Sequence, residues 1–570
     1  MKIRWISVLC AVVLLTALLP LSGGRAAAAA DNPYIRIGLA YGSGALVNAN
    51  LENSQGSGYR FGYFDDNYGF TLLYDTAQTQ LTMLKNSNTY YSGGTYSNTV
   101  PSGSYSYIGA YHIQLPGTYP SAWAAAEAAD LYEGGFPAWT GGAFRARIGS
   151  FTNRTDAENR AAALGLTDYT IEGASSTAIT VTQTKTSNVI FQFDGAGVSS
   201  LVVMPGRDDS VKTVTWFKGY RYYGCFQYKR LNGGNITVIN VVPMEDYIKG
   251  ILPYEMSASW PQEALRAQAV AARTFAASSY HKHSSSGFDL CNTTCCQVYR
   301  GINSANDNSD SAVDATRSVC MRYNGKLITA YYHAADGGAT ESSENVWGTK
   351  LGYIIGVMDP YEADVADKIT RYHWTMSYSG SDLTNRLKNM GYSCSTIVQV
   401  YVSEYTPTGN PKTVTFVDDT GNSIALSGTA MHSAFTISSL GKGLGSYRFD
   451  ITDNGGGGSA SSDGPVYVND GATLDALQGA YVLDGTGTAT QLSGEVYVID
   501  GSGNVTKVEG GSSVSAGSVK ADTFTLNGAG SGHNLGMSQW GAYAMAKRGY
   551  TYVDILHFYY TDVTLSTLGG

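Results

Sequence analysis

Charge is scarce in this sequence: 15% of the 570 residues are Asp, Glu, Lys or Arg, against about 25% in an ordinary globular chain. What charge there is sums to a formal −9, which excludes recognition of nucleic acid by a basic surface. With 43% hydrophobic residues the chain is not a disordered tail either. Long apolar runs are missing after the first thirty residues, so the later chain is not expected to span a membrane. Cysteine is sparse and uneven. Of seven, Cys10 lies in the opening apolar run, Cys225, Cys320 and Cys394 stand alone, and Cys291, Cys295 and Cys296 fall within six positions. That is no disulfide ladder, and a chain with room for several cores needs none; the cluster asks for another explanation, such as a metal. Glycine (68 residues) and tyrosine (42) are abundant instead, the profile of a turn-rich extracellular β-protein, and the length suggests three or four domains of about 150 residues each.

Lys2 and Arg4, an apolar run from Trp5 to Leu21 and the small residues Ala26 to Ala30 predict a secretory signal peptide over 1–30. The rival is an uncleaved anchor, since the run nearly reaches the ~18 residues of a spanning helix. The protein is expected to be secreted and wall-associated, with no membrane span once the signal is cleaved.

Residues 31–108 begin with a β-pattern, Tyr34 to Leu39, and include a serine-, tyrosine- and glycine-rich stretch from Tyr90 to Tyr107 that lacks helical periodicity and reads as hairpins or a loose linker. Over 109–180 two strand-then-helix units follow. His112 to Leu115 precedes an alanine-rich helix over Ser121 to Tyr132, and Phe144 to Ile148 precedes a helix over Thr152 to Leu164, with Thr152 or Asn153 able to cap it. The portion FRARIGSFTNRTDAENRAAAL resembles the SPOR domain, a small module that binds bare peptidoglycan strands; an anonymous α+β module is the alternative.

Thr213 to Phe217, Tyr220 to Tyr228 and Thr237 to Val242 read as strands. A strong helix follows, with Ser259 and Gln262 as a capping box, Pro261 in the first turn, and Leu265, Ala269, Ala272 and Ala276 as a core stripe. Gln268 and Arg273 lie on its other side, free to face a groove. After Asn454 the run NGGGGSASSDG reads as a flexible linker. Behind it YVLDGTGTATQL and YVIDGSGNVTKV repeat sixteen positions apart, with VYVNDGATLDAL a weaker copy; Asp-Gly between alternating residues predicts a β-hairpin insert.

Four ordered blocks carry the chemistry: VPMEDYIKGILPYEMSASWPQEALRAQAVAARTFAASSY from Val242, then GFDLCNTTCCQVYRG, AYYHAADGGATESSENVWG and GSGHNLGMSQWGAYAMAKRGY. Together they resemble the SpoIID/LytB family, which holds the stage II sporulation protein D and the amidase enhancers. The resemblance implies an α+β, multidomain chain. Its β-rich SpoIID domain, with a central helix lining a cleft, would cover 195–453 and 521–570, interrupted by the linker and β-insert at 454–520 and preceded by the small βαβα SPOR-like domain. It also implies a lytic transglycosylase acting on peptidoglycan strands stripped of stem peptides, with Glu255 of the P-x-E-M element as the acid. A carboxyl kept neutral in a partly dry cleft can protonate a glycosidic oxygen. No second carboxylate is required, because the muramyl 6-hydroxyl attacks its own anomeric carbon to give a 1,6-anhydro ring. Without the family, Glu255 is one more acidic residue near a helix start.

The remaining site residues are expectations of the same resemblance. Gln268 and Arg273 would position sugar groups, although Arg273 is equally suited to tie the helix to a nearby carboxylate; Glu341 and Glu344 carry the same two readings. His333 with Gly337 and Gly338 forms an H-x-x-x-G-G turn whose amides would approach a ligand, with Ala334, Ala335 and Asp336 standing where relatives often have serine or cysteine. His533, Gln539 and Trp540 belong to the last signature, where Asn534 replaces a usual glycine, and Trp540 is either a sugar platform or core. Many relatives bind zinc in the cysteine loop. Here Cys295 stands at a usual histidine, so Cys291, Cys295, Cys296 and His283 or His281 offer a structural Cys3His set; adjacent Cys295 and Cys296 do not easily reach one metal, leaving a Cys2His2 set or a disulfide open. The expected partners are peptidoglycan glycan strands. The competing reading is a non-catalytic wall-binding modulator that stimulates a cell-wall amidase, and a surface scaffold built on the hairpin repeats is a third. A cleavable signal is a departure from the sporulation-type members.

Overall fold

The stretch Ile236–Pro243 shows how the sheets are built: it has no polar alternation and all but its last residue are buried, the pattern of a strand covered on both faces. The structure is a computed structural model that describes residues 33–197, 199–206, 211–453 and 522–569, with only the backbone of short strands between 466 and 508. In it, Ile236–Pro243 lies inside a seven-stranded sheet ordered Leu290–Cys291, Tyr34–Ala40, Ile236–Pro243, Cys225–Arg230, Leu201–Pro205, Tyr59–Phe64, Phe70–Thr76. A second, ten-stranded sheet runs Thr170–Glu172, Tyr111–Gln114, Ala143–Phe151, Gly135–Thr140, Val189–Asp194, Ile179–Gln183, Gln80–Lys85, Asn48–Gln55, Val214–Phe217, Tyr220–Tyr222. The architecture is α+β and β-rich. Residues 1–30 and the glycine-rich run at 454–464 lie outside the described residues.

The opening segment is not a unit of its own. Tyr34–Ala40 pairs with Ile236–Pro243, and Asn48–Gln55 pairs with Val214–Phe217, so residues expected to form a separate N-terminal segment are built into the two large sheets beside strands from later in the chain. The expected strand Tyr220 to Tyr228 is likewise two strands in two different sheets. Gly224 makes the break: it sits at φ +78°, and a Cβ there would lie 2.3 Å from the Val241 carbonyl, a conformation and an approach only glycine accepts.

Residues 111–172 form a βαββαβ unit. Helix α1 is Ala122–Ala129, capped by Ser121 Oγ accepting from Ala124 N, and α2 is Arg154–Ala163, capped by Asn153 accepting from Asp156 N. The sequence reading missed the strand Gly135–Thr140, whose proline and glycines mask it, and which forms a hairpin with Ala143–Phe151. The four strands stand in the order fourth, first, third, second, all antiparallel, the split βαβ arrangement. Both helices pack through alanines on one face, with Ala125, Ala129, Ala157 and Ala161 against Ile113, Ala146 and Ile148.

The Tyr90–Tyr107 stretch is ordered as a three-stranded sheet, Thr95–Ser97 beside Thr89–Ser92 beside Ser106–Ile108. The insert repeats are hairpins as expected: Tyr481–Leu483 pairs with Ala489–Gln491, Val496–Ile499 with Val505–Val508, and Val466–Tyr467 with Thr473–Leu474. The two ends of the insert meet in one sheet, where Thr523–Ala529 pairs with both Phe449–Asp453 and His373–Ser379.

Helix α3, Met244–Glu255, was also missed, because Gly250 and Pro253 read as breakers; Glu255 therefore ends a helix and does not begin one. Helix α4, Gln262–Ser278, is buried nearly all round from Ala264 to Ala276, so it is a central core helix and not an amphipathic surface one. Its expected capping box does not form. Pro261 is the N-cap without a side-chain bond, Ser259 Oγ pairs with Ser257, and the Gln262 amide donates to the Asn308 carbonyl at 2.8 Å.

Candidate active site

Glu255 closes α3 at the wall of a cavity of about 710 Å³. The wall also takes Phe275 and Ser278 from α4, Lys282, Cys295, Cys296 and Gln297 from the cysteine loop, Tyr331 and Tyr332, Trp347 and His533. Burial pushes the Glu255 carboxyl above the usual carboxylate range, and hydrogen bonds from Tyr332, Gln539 and the Val298 amide oppose that push. Gln539 Nε2 stands 3.4 Å from Glu255 Oε2.

The Tyr332 contact has a fixed direction. Tyr247 OH donates to Gln297 Oε1 at 3.1 Å, which turns Gln297 Nε2 toward the Ala272 carbonyl at 3.2 Å and toward the Tyr332 oxygen at 3.1 Å. Tyr332 thus accepts from Gln297 and keeps its own proton to donate to Glu255. This chain of buried groups was not identified in the sequence, although Gln297 and Tyr332 both stand inside the quoted signature blocks; nothing in a linear pattern shows that they meet.

Several expected sugar contacts are interior groups. Arg273 is fully buried and bidentate on Glu245, Nε to Oε1 at 2.9 Å and Nη2 to Oε2 at 2.6 Å, while its Nη1 donates to the Val319 carbonyl; it locks α4 to α3 and does not reach the groove, which settles its two readings in favour of the carboxylate tie. Gln268 is also fully buried, its Oε1 3.5 Å from Gln539 Nε2, so it stands behind Gln539 and does not line the cavity. Glu341 is 3% exposed and accepts from Ser342 N, Asn345 Nδ2, Thr406 Oγ1, Thr408 Oγ1 and Asn410 Nδ2. Every lone pair is committed, and Glu341 ties its loop to the 406–410 turn. Glu344 is half-buried in the short helix Ser343–Trp347.

Gly337 and Gly338 adopt φ +77° and +108°, as a glycine turn requires, but their amides are already used: Gly337 N donates to Glu362 Oε2 at 2.9 Å and Gly338 N to Asp336 Oδ1 at 2.7 Å. Contrary to the expectation, these amides are turned to carboxylates of the protein and not to a ligand. Glu362 also accepts from Asp336 N and Ser538 Oγ. With Asp359, Asp336 and Glu362 form a buried acidic trio, and burial among like charges pushes the Asp336 carboxyl well up and the Glu362 carboxyl up.

The two histidines split. His533 lines the cavity, and burial lowers it to about 4, so it is a neutral ring whose Nδ1 accepts from Leu535 N. His333, 5% exposed, lies beneath it with ring centroids 5.5 Å apart and Nδ1 donating to the Leu535 carbonyl. Asn534 between their loops is fully buried at φ +59°, a region asparagine tolerates, and its amide bonds the Asp336 and Ala339 carbonyls and Tyr447 N. Trp540 stacks into an aromatic group with Trp260 at 4.6 Å and Tyr543 at 5.4 Å, half-buried and away from the cavity wall.

The cysteine loop brings four donors together. His283 Nε2 is 3.3 Å from Cys296 Sγ and 3.8 Å from Cys295 Sγ, and with Cys291 all four donor atoms lie within 4.8 Å of one another. Adjacent Cys295 and Cys296 do both reach the cluster, contrary to the expectation. His281 does not; it pairs with Asp289 at 3.0 Å. Donation from Cys296, then Thr293 and Tyr41, favours the thiolate at Cys291. Three thiols and an imidazole at these separations suit a tetrahedral zinc ion.

A family model described as stage II sporulation protein matches residues 232–323, which span α3, α4 and the cysteine loop. The chain is 32% identical over 349 residues to an uncharacterised protein of Brachyspira hyodysenteriae, covering 61% of this chain and 73% of that one. It is 31% identical over 325 residues to the amidase enhancer of Bacillus subtilis, covering 56% of this chain and 40% of that protein. It is 24% identical over 347 residues to the stage II sporulation protein D of the same organism, covering 58% and 76%.

Proposed function

The chain belongs to the SpoIID/LytB family, and from that premise we propose that it is a secreted peptidoglycan lytic transglycosylase. It would cleave the bond between N-acetylmuramic acid and N-acetylglucosamine in denuded strands, with Glu255 as sole acid and base. One observation carries the reading: among the described residues lining the cavity, Glu255 is the one carboxyl, and burial favours its protonated form. Hydrolysis by two carboxylates has no second partner here. Glu255 protonates the bridging oxygen as the C1–O bond breaks, and the muramyl 6-hydroxyl then bonds to C1. The proton released by that hydroxyl returns to the Glu255 carboxylate, which restores the acid. Tyr332 and Gln539 hold the carboxylate formed between the two steps, and the neutral His533 and the rings of Tyr331 and Trp347 wall the cavity.

A zinc ion on His283, Cys291, Cys295 and Cys296 would supply structure and no chemistry, fixing the loop that brings Cys295, Cys296 and Gln297 to the cavity. The βαββαβ topology of residues 111–172 supports the SPOR-like reading of that unit. No helix among the described residues is long and apolar enough to cross a membrane. The name of the Bacillus relative favours a second reading, a non-catalytic modulator of a wall amidase. Incubation with peptide-free glycan strands separates the two. The transglycosylase yields 1,6-anhydromuramyl ends by mass spectrometry and Glu255→Gln does not; binding without product rejects the enzyme.

A further inference from the structure

The βαββαβ unit carries both helices on one face of its sheet, and a sheet standing alone in that way leaves its other face open. Here that face is covered. Phe136 and Arg147 are directly paired across the hairpin, on the side away from the helices. Phe136 joins Leu84 and Val189 beneath Tyr96 and Ile108 of the small three-stranded sheet, with Tyr91 packed alongside. Further along the same face Arg147, His112 and Gln192 are buried and bonded to one another and to Gln114. The layer is pinned by polar contacts: Lys185 N donates to Tyr96 OH at 2.9 Å, and Asn88 Nδ2 donates to the Thr152 carbonyl at 2.8 Å. Whatever the open face of such a unit contacts must, in this chain, be met by the outward face of the covering layer.

That outward face is built of tyrosine. Alternation along the strands sends Tyr91, Tyr96 and Ile108 inward and Tyr90 and Tyr107 outward; Tyr105, one residue before its strand, is exposed beside them. Tyr90 is directly paired with Tyr107 on the neighbouring strand, and Tyr90 meets Tyr105 with ring centroids 5.5 Å apart. Tyr105 is 45% and Tyr107 43% exposed, a large aromatic surface left in water by a layer that buries its other side. Nothing charged accompanies the rings: no Lys, Arg, Asp or Glu occurs between Lys85 and Glu127, and Ser97 faces outward opposite Tyr90. The three strands themselves offer a charged partner no ion pair. A neutral polyhydroxylated chain finds apolar ring faces for its C–H surfaces, together with phenol and serine hydroxyls for its own. Tyrosine supplies such contacts at low entropic cost, because two torsions fix it.

We propose that the face carried by Tyr90, Tyr105 and Tyr107 is a docking surface for a neutral polysaccharide strand, separate from the cleft. It holds the chain on its polymer by ring stacking, and it does so whether or not Glu255 cuts. Insoluble chitin, an uncharged polymer of β-1,4-linked N-acetylglucosamine, is the probe, and retention of the full chain is measured by depletion from solution. The wild type and Glu255→Gln are expected to be retained alike. Tyr105→Ala with Tyr107→Ala should weaken retention about tenfold or more, whereas Tyr105→Phe with Tyr107→Phe, which keeps the rings, should stay within about threefold of wild type. Retention should be flat from low salt to about 0.5 M NaCl. Near-UV circular dichroism matching wild type establishes that the inward Tyr91 and Tyr96 remain packed in the alanine variant. Failure of the wild type to bind chitin overturns the proposal, as does unchanged retention of a folded alanine variant. Retention that collapses with salt overturns it in favour of a charged ligand, and self-association lost in the alanine variant overturns it in favour of a second copy of this chain. None of these results bears on cleavage, which Glu255→Gln tests separately.

Discussion

Tyr332→Phe removes one oxygen and isolates the group that sets the acidity of Glu255. The wild-type hydroxyl accepts from Gln297 and donates to the Glu255 carboxyl, so its loss withdraws a donor that favours the ionised form. A hydrogen bond to a charged group contributes about 1.5–3 kcal/mol. Glu255 is partly open to the cavity, and solvent takes up part of the loss, which leaves roughly 1.4 kcal/mol, or about one pH unit. Glu255 must be protonated to act as the acid, so kcat/KM falls as pH rises through its ionisation. In Tyr332→Phe that alkaline limb is expected to move upward by about one pH unit, measured from release of 1,6-anhydromuramyl ends across a pH series. The plateau rate at low pH should fall, because the carboxylate formed in the first step has lost a partner. The freed Gln297 amide is an interior donor, so the variant should also be destabilised by about 1–2 kcal/mol. A limb that stays in place or moves downward while the protein remains folded refutes the assigned direction of the Tyr247–Gln297–Tyr332–Glu255 chain.

Arg273→Leu strands Glu245 in the core, and breaking a buried pair of this kind costs about 3–5 kcal/mol; urea titration should show that loss, and a stable variant with only a raised KM would return Arg273 to the groove. Asp336→Asn should stabilise the protein at neutral and alkaline pH. A carboxyl raised in the folded state binds more protons there than when unfolded, so its contribution falls as pH rises from about 4 toward the raised value, and the melting temperature of the variant should be flatter with pH than that of wild type. Loss of stability at pH 8 in Asp336→Asn would contradict a carboxyl raised by burial among like charges. Cys296→Ser should lower the zinc content found by X-ray fluorescence and lower the melting temperature, while wild type with no zinc and no response to chelator would reject the Cys3His site.

The sequence was legible where local rules coincide with tertiary need. Helices α1 and α2 begin at the Ser121 and Asn153 caps that their residue types announce, and Glu255 lies on the cavity wall to which the motif pointed. It failed where long-range contacts decide. Pro253 and Gly250 hid α3, which forms because eight of its twelve residues are buried against the rest of the domain. Arg273 and Glu341 look like ligand-binding polar residues in a linear motif, yet their partners stand at Glu245 and at Thr406, Thr408 and Asn410. A pattern of residues does not say whether a polar side chain faces water or another side chain. The split of Tyr220 to Tyr228 between two sheets was hidden for the same reason, since only the approach of Val241 identifies Gly224 as a corner.

The motif residues that do not touch the cavity explain why it has a fixed shape. Tyr332 and Gln539 reach Glu255 from short elements: Tyr332–His333 pairs in parallel with Met537–Ser538 over two residues, and Gln539 opens the helix that follows. Buried carboxylates brace this short ladder: Glu341 joins its own loop to the 406–410 turn, and Glu362 joins the amides of Asp336 and Gly337 to Ser538 just before the helix Gln539–Lys547. Asn534 completes the link from a left-handed position. A carboxylate that accepts several short hydrogen bonds inside the protein orders its donors more strictly than a surface pair does, because no water competes for them. The position of the Gln539 amide near Glu255 is therefore set by acidic groups one layer behind the cavity. Glu341, Glu362 and Asn534 are positioning residues, and their substitution is expected to alter the cavity although none of them lines it.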